Sequence, residues 1–265
     1  MSSGIHYERA LCKHFLKQGL KFADEYSKDV YMRGVHLIPS NLSLNIPNLP
    51  ARSWKPHFVR LERPSSGSSF LEHPTTSDIT LISRDRTQYE YISVKNNNMD
   101  IKHQKPNKLP LQMRMCARSS IEFNNAYNAI NNKWFQKWNK MRFTTFREAP
   151  RADIDNLYRS VNKLVISYLN TEPVSRTQRF LKFLLDLDTR YVFKFEGIRK
   201  CTIFKKIMVK KTIISAELRG SNTIILKLSN NVKVYMRLHT ACSRISPMLC
   251  LKYAVKAEDL FNKLY

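Results

Sequence analysis

Apolar side chains recur every three or four residues in four parts of the chain, and this spacing predicts four amphipathic helices. Gly19 predicts the end of the first helix, because glycine tolerates the left-handed conformation that stops a helix. Ser175, with Gln178 after it, forms a capping-box pattern that predicts the start of the last helix. An aromatic stripe on the second helix is typical of a packed core rather than of a base-stacking surface. The predicted helices are Ile5–Gln18, Leu111–Met141, 154–168 and Arg176–Asp186.

Alternation of apolar and polar residues predicts strands arranged in two hairpins. Between the first helix and the first hairpin, the segment 39–75 contains six of the eleven prolines and a serine-rich run, so we expect an extended loop there. Asn230 and Asn231 predict the turn of the second hairpin, because asparagine tolerates a positive φ. The paired strands are Thr76–Ser83 with Tyr89–Lys95, and Thr223–Leu228 with Val232–His239.

Strands placed between helical segments predict an α/β or α+β fold, with a mixed central β-sheet flanked by helices. A chain of 265 residues with 43% hydrophobic residues is long enough for one sizeable core. We therefore expect a single domain over residues 1–265, with a Pro/Ser-rich loop at about 39–75 and a C-terminal hairpin subregion at about 222–253.

The charge of the chain is strongly positive. Lysine and arginine number 45 against 21 aspartates and glutamates, which gives a formal net charge of +24. The excess is spread over the chain instead of forming a tail, which favours a folded basic surface that binds a polyanion, and nucleic acid is the commonest one. The sequence shows no basic amphipathic helix with a long apolar face, as a membrane-surface protein would need.

Membrane insertion and secretion are not expected. No apolar run approaches the roughly 20 residues that span a bilayer, and the first residues lack the apolar core of a signal peptide. The five cysteines are widely spaced and form no CxxC pair. They predict reduced thiols in a cytoplasmic protein and no zinc site.

The first hairpin brings together residue types that hydrolyse phosphodiesters. With its turn centred between Arg86 and Thr87, Asp78 lies opposite Lys95 and Thr80 opposite Ser93, all on one face. A carboxylate can hold Mg²⁺ against a phosphate oxygen, and a lysine can orient or deprotonate the attacking water. The same placement is also that of an ordinary surface ion pair across two strands, and the hairpin alone leaves both interpretations open.

Two segments resemble a known family. Ile92–Pro106, with the sequence ISVKNNNMDIKHQKP, and Arg237–Tyr253, with the sequence RLHTACSRISPMLCLKY, are similar to the HaeIII family of type II restriction endonucleases. That family belongs to the PD-(D/E)xK nuclease superfamily, so the resemblance implies a nuclease core of that kind. About a third of the chain shows the resemblance, and the proline-rich stretch and residues 142–220 show little of it.

The resemblance implies a catalytic site on the first hairpin. Asp78 corresponds to the metal-binding aspartate of the superfamily, and Lys95 to the lysine of its (D/E)xK element. Ser93 stands where that element has an acid, and serine is a poor Mg²⁺ ligand.

Three carboxylates are candidates to replace the acid that is absent at Ser93. Glu8, on the first helix, is ranked first, and Glu122, on the second helix, comes next. Glu90 is ranked third because the hairpin places it on the face opposite to Asp78 and Lys95. For Glu8, a solvated helix acid is the alternative. The predicted catalytic residues are therefore Asp78, Lys95, Ser93 and Glu8, and the predicted metal ligands Asp78, Glu8 and Glu122.

Two groups of residues are candidates for DNA contact, because amide side chains pair with adenine while lysine and arginine favour guanine and phosphate. His103 is also a candidate second general base. The alternatives are a polar loop for the first group and an exposed strand edge with its turn for the second, and Lys252 ends a segment similar to the second. The first group is Asn96, Asn97, Asn98, Lys102, His103, Gln104 and Lys105, and the second is Arg237, His239, Ser243 and Arg244.

These observations predict a Mg²⁺-dependent type II endodeoxyribonuclease that cuts duplex DNA at a short palindrome. The resemblance implies the sequence GGCC, cut to blunt ends, and a cognate DNA methyltransferase as a partner. A homodimer and a monomer are both compatible with a palindromic site. Two alternatives remain: a DNA-binding protein in which Ser93 marks a decayed site, and a structure-selective repair or recombination nuclease.

Overall fold

The computed structural model divides into two compact units. The first unit contains Met1–Met99, Asp186–Met208 and Leu260–Tyr265, and the second contains Asp100–Leu185 and Val209–Asp259. The structure describes residues 4–38, 55–62, 77–97, 100–186, 188–197, 200–207, 212–229 and 231–264.

The described residues form six α-helices and twelve strands. The helices are α1 (Gly4–Lys17), α2 (Glu25–Met32), α3 (Leu109–Met113), α4 (Ala117–Lys140), α5 (Arg151–Thr171) and α6 (Val174–Leu184). The strands are β1 (Lys21–Phe22), β2 (Phe58–Leu61), β3 (Ile79–Ile82), β4 (Tyr89–Asn96), β5 (Lys102–Gln104), β6 (Thr189–Glu196), β7 (Lys200–Lys206), β8 (Ile213–Arg219), β9 (Thr223–Leu228), β10 (Lys233–Thr240), β11 (Leu251–Lys256) and β12 (Phe261–Lys263).

The first unit is built on a seven-stranded mixed sheet in the order β1-β2-β3-β4-β6-β7-β12. The pairs β1–β2 and β4–β6 are parallel and the others are antiparallel. Helix α1 covers one face, where Tyr7 stacks on Phe195 with ring centroids 4.7 Å apart and Phe15 meets Phe193 edge to face. Leu11 is fully buried in the same core. The mixed sheet flanked by helices confirms the predicted fold class.

The second unit contains a five-stranded antiparallel sheet in the order β5-β11-β10-β9-β8. The long helix α5 packs on its apolar face. Asn170 of α5 exchanges two hydrogen bonds with the backbone of Ala216 in β8, and the hydroxyl of Tyr253 in β11 donates to Asn162 at 2.7 Å. Asn162 also donates to the carbonyl of Ser221. Because Asn162 and Tyr253 are buried, the hydrogen bond between them helps to fix the helix on the sheet in one orientation.

Several predicted boundaries need correction. The predicted second helix is two helices, because Arg114 adopts a left-handed conformation with φ of 50° that ends α3. Helix α6 begins at Val174 after Pro173, without a side-chain cap, so the predicted capping box at Ser175 is wrong. Strand β2 lies within the segment 39–75 that we expect to be a loop. Residues 39–54 and 63–75 of that segment lie outside the described residues.

Both hairpins form, as does the stop at Gly19. Gly19 has φ of 88°, and Asn231 of the second hairpin has φ of 64°, as their residue types predict. Over the described ranges, no helix is long and apolar enough to cross a membrane.

Candidate functional site

The first hairpin closes one residue earlier than the sequence predicts. Ser83 closes the turn: its amide donates to the carbonyl of Gln88 at 3.0 Å. Its hydroxyl donates to Asp85 and accepts from the Gln88 amide at 3.0 Å. The pairing that follows sets Ile79 opposite Ile92, so the predicted pairing of Asp78 with Lys95 is wrong by two positions. Because the side-chain period is two, this shift leaves Asp78, Ser93 and Lys95 on one face.

Asp78 is held in place at the entry to β3. Its Oδ2 atom accepts hydrogen bonds from the Val94 amide at 2.5 Å and from the Ser93 hydroxyl at 3.1 Å. Burial raises the pKa of Asp78 above its usual value, while Lys95, the Val94 amide and the Ser93 hydroxyl partly oppose that rise. The carboxyl group is thus oriented by two donors in a site that disfavours an isolated negative charge.

Glu8 of α1 lies in the same electrostatic environment as Asp78. Burial and, to a smaller extent, the negative charge of Asp78 raise the pKa of Glu8 to about 7, against the opposing effect of Arg9 and Lys95. Glu8 is partly exposed, so it is not a fully solvated helix acid. Helix α1 therefore brings a second carboxyl group to Asp78 and Lys95 across a large sequence separation.

Lys95 has a second lysine beside it. In the parallel pairing of β4 with β6, Lys95 lies next to Lys194 on the same face. Lys194 is bound to Glu196, which also pairs with Lys200 at 3.0 Å. The two lysines lower the pKa of Glu196 to about 2. Lys194 is thereby engaged, while Lys95 has no ion-pair partner among the described residues.

Ser93 occupies the position of the expected acid and bonds to Asp78. It is almost fully buried, at 4% exposure, and supplies a donor instead of a negative charge. A hydrogen bond to the ionised form of a carboxyl group favours that form, so Ser93 supports the charge of Asp78 without adding its own.

The other two candidate carboxylates are placed differently. Glu90 lies opposite Leu81, on the face away from Ser93 and Lys95, and forms an ion pair with Arg190 at 3.7 Å. Glu122 belongs to the second unit, where it pairs with Arg118 at 2.9 Å on the exposed surface of α4. Glu8, by contrast, lies within electrostatic reach of Asp78 and Lys95.

The residues present fit a divalent cation. No group of three His, Cys, Asp or Glu side chains with metal-binding geometry exists in the described part of the chain. Mg²⁺, however, is commonly held by one or two carboxylates together with waters and substrate phosphates. Asp78 and Glu8 supply two such groups, both with a raised pKa that a nearby cation would lower again.

One acid near this cluster was not predicted from the sequence. Asp186, at the start of the segment leading into β6, contributes to the raised pKa of Asp78. Asp186 is buried and accepts a hydrogen bond of 2.5 Å from the Thr189 hydroxyl, while its carbonyl accepts one from Lys206. Asp186 adopts a positive φ of 47°, which aspartate tolerates better than most residues. This tolerance alone does not identify Asp186 as a site residue from the sequence.

The predicted DNA contacts after β4 have different outcomes. Asn96 is the last residue of β4, and Asn97 follows it with φ of 61° and an exposed side chain. Gln104 is buried and exchanges two amide hydrogen bonds with Gln112, so its amide is not presented to a ligand. Lys105 is exposed. Asn98 and the side chains of Lys102 and His103 lie outside the described residues.

The second group lies on or next to a basic sheet face in the second unit. Along β10, Val234, Met236 and Leu238 are buried, while Arg237 is exposed on the opposite side, as the alternation predicts. His239 shares that side and contacts the Thr240 carbonyl through Nδ1 at 3.0 Å. We define the basic sheet face as Arg219, Lys227, Lys233, Arg237, His239, Lys252 and Lys256.

Ser243 and Arg244 lie beyond the end of β10, in an exposed turn. The Phe146 amide donates to the Ser243 carbonyl at 3.0 Å, and Arg244 pairs with Thr145 in a short β-bridge. The backbone of this turn is therefore fixed while both side chains are exposed.

Comparison with family models, with curated protein sequences and with solved structures gives no match for this chain. The fold and the two sites described above are the observations on which a function can be proposed, and the resemblance to the HaeIII family remains a prediction.

Proposed function

We propose that this protein is a Mg²⁺-dependent endodeoxyribonuclease that hydrolyses phosphodiester bonds in duplex DNA. The supporting observation is the convergence of Glu8, Asp78 and Lys95, in which two partly buried carboxyl groups with a raised pKa lie close enough to a lysine for each pKa to respond to it. A partly buried acid pair with a lysine on a strand is an arrangement suited to phosphodiester chemistry.

Each residue has a defined task in this proposal. Asp78, oriented by the Val94 amide and the Ser93 hydroxyl, and Glu8 would hold the cation. Bound there, Mg²⁺ supplies Lewis-acid stabilisation of charge on the phosphate. Lys95 positions the attacking water and offsets negative charge that develops as the P–O bond breaks. The net charge of +24 and the basic sheet face supply sequence-independent attraction for the DNA backbone.

The resemblance extends the proposal to a particular kind of nuclease. It would be a type II restriction endonuclease acting at GGCC, as a homodimer or a monomer in the cytoplasm, with a DNA methyltransferase protecting the same site. Incubation of supercoiled plasmid with the protein in Mg²⁺ and in EDTA tests both the nuclease activity and its sequence specificity. Discrete fragments with identical ends support a site-specific enzyme, whereas smears or cuts at junctions support a structure-selective nuclease.

One observation favours a second candidate, a DNA-binding protein without catalysis. Ser93 supplies no negative charge where the resemblance predicts an acid. In that case the plasmid would be bound and retarded in a gel but would remain supercoiled in Mg²⁺ and in Mn²⁺ alike.

A further inference from the structure

The second unit contains a pocket of about 620 Å³ that the proposed catalytic cluster does not use. It lies where the loop before α5, the start of α5 and the end of β10 meet. Its volume is within the range of small-molecule sites, roughly 300–1,000 Å³. The residues of its wall that matter here are Phe146, Arg147, Arg151, Tyr158, Thr240 and Ser243.

The walls of this pocket are held by hydrogen bonds between its three segments. The Phe146 amide donates to the Ser243 carbonyl at 3.0 Å, which ties the loop to the turn after β10. The Thr240 amide donates to the Tyr158 hydroxyl at 3.2 Å, which ties β10 to α5. Trp138 packs edge to face on Phe146, with ring centroids 5.7 Å apart. The pocket is therefore a built feature of the fold.

Two acids next to this pocket bond to groups other than its arginines. Glu148 accepts hydrogen bonds from the backbone and hydroxyl groups of Thr144 and Thr145, and these bonds lower its pKa. Asp153 accepts from the indole of Trp138 and pairs with Lys137 at 2.8 Å.

The two arginines of the wall are consequently available to a ligand. Arg147 has no acid within ion-pair distance among the described residues. Arg151 has one, Asp155 at 3.5 Å, but the arginine side chain is 76% exposed and such a pair is weak.

We propose that this pocket binds the phosphate group of a nucleotide, either a phosphodiester of the DNA backbone or the phosphate of a free mononucleotide. The guanidinium fork of arginine matches phosphate oxygens with two parallel hydrogen bonds. The hydroxyls of Thr240 and Ser243 add neutral donors, and the aromatic wall at Phe146 gives an apolar surface beside them. In so far as the ligand is DNA, this inference rests on the proposed nuclease function.

Binding measurements in EDTA separate this inference from the nuclease proposal, because cleavage plays no part in them. The probes are deoxycytidine monophosphate, deoxycytidine and a short duplex. The test variant is the double substitution Arg147→Ala with Arg151→Ala. The matched control is Arg159→Ala with Lys163→Ala, which removes the same charge from an exposed part of α5 that does not line the pocket.

Two outcomes support the proposal and identify the source of the phosphate. If the mononucleotide binds the native protein and deoxycytidine does not, and the test variant loses about tenfold or more while the control does not, the ligand is a free nucleotide. If only the duplex responds, with a loss about tenfold greater in the test variant than in the control, the ligand is a backbone phosphate. Arg147→Lys should lie between native and test variant, because lysine keeps the charge without the fork.

Equal losses in the test and control doubles, or no loss in either, would overturn the proposal. All four substituted residues are exposed, so both variants are expected to keep the native thermal unfolding temperature, and this is measured alongside.

Discussion

The hydroxyl of Ser93 donates a hydrogen bond of 3.1 Å to the Oδ2 atom of Asp78, the same oxygen that accepts from the Val94 amide. Serine thus stands beside the aspartate at the point where the resemblance predicts a second acid. Two carboxylates at this distance would repel each other without a cation, whereas a serine stabilises the aspartate alone. The site can therefore exist without metal at a lower electrostatic cost.

Ser93→Glu should make stability depend on Mg²⁺. The new carboxyl group is buried next to Asp78, so we expect a lower unfolding temperature in EDTA and a larger rise on adding Mg²⁺ than for the native protein. Thermal unfolding with and without Mg²⁺ measures this, with Ser93→Gln as the control of similar size and no charge. Identical behaviour of the Glu and Gln variants would contradict a cation site at Asp78.

Lys95→Ala should abolish cleavage and leave DNA affinity within about tenfold, because one lysine makes a small share of the total backbone attraction. The matched control is Lys205→Ala, an exposed lysine of β7 in the same sheet. Single-turnover cleavage and gel retardation measure the two properties separately. Full activity in a purified Lys95→Ala protein would remove Lys95 from the proposed mechanism.

Glu8→Ala should slow turnover by roughly 10² or more, on the scale of about 3 kcal/mol of transition-state stabilisation. Glu90→Ala and Glu122→Ala should cost far less turnover, since Glu90 lies on the other face of β4 and Glu122 pairs with Arg118 in the second unit. Glu90→Ala also leaves Arg190 without its partner, so rates are normalised to the folded fraction. A dead Glu90→Ala protein that is fully folded would show that the assignment of faces fails.

Glu8 should also give the metal-free protein a defined pH dependence. Its folded pKa of about 7 lies above the usual value of 4.5, so the folded state binds this proton more tightly than the unfolded state does. The stabilisation is fully present below about pH 4.5 and is lost as the pH rises to about 7, by up to about 3 kcal/mol. Glu8→Gln cannot ionise and should not show this loss.

Urea unfolding in EDTA from about pH 5 to 8 measures the difference between the native protein and Glu8→Gln. The variant should gain relative to the native protein as the pH rises, and the gap should be constant above about pH 7.5. A gap that does not change with pH would mean that Glu8 titrates normally in the folded protein.

The sequence predicts helices and turns well where hydrophobic spacing and residue type along a short stretch of chain determine them. Hydrophobic period predicts α1 and α5, and residues that tolerate positive φ predict the stop at Gly19 and the turn at Asn231. Strand β2 lies in a proline-rich segment, which favours the prediction of a loop there. The break at Arg114 depends on a left-handed conformation that the residue type of arginine does not predict. Helix α6 shows how a proline at the helix start replaces an expected serine cap.

In the candidate site, too, the residues that depend on local spacing are predicted from the sequence, and those brought in from distant parts of the chain are not. The side-chain period places Asp78, Ser93 and Lys95 on one face even though the exact register is wrong, because an error of two positions preserves the face. The contributions of Lys194 and Asp186 come from β6 and the segment before it, which reach β4 through a parallel pairing between distant parts of the chain. Gln104 was expected to contact DNA, but its amide is used by Gln112, a partner that no spacing in the sequence identifies.

The basic sheet face gives the last prediction. Glu217 of β8 lies beside this face and is bound to Lys227. Arg237 of β10 is exposed and has no acid partner among the described residues. Non-cognate duplex affinity should fall by roughly 10³ or more between about 50 and 200 mM salt, as about six phosphate contacts would require.

Arg237→Ala should reduce the slope of log affinity against log salt by about 1. Lys163→Ala, on α5 at the other side of the sheet, should leave the slope unchanged. Fluorescence anisotropy over this salt range measures both, and equal slopes for the native protein and Arg237→Ala would exclude this face as a DNA contact.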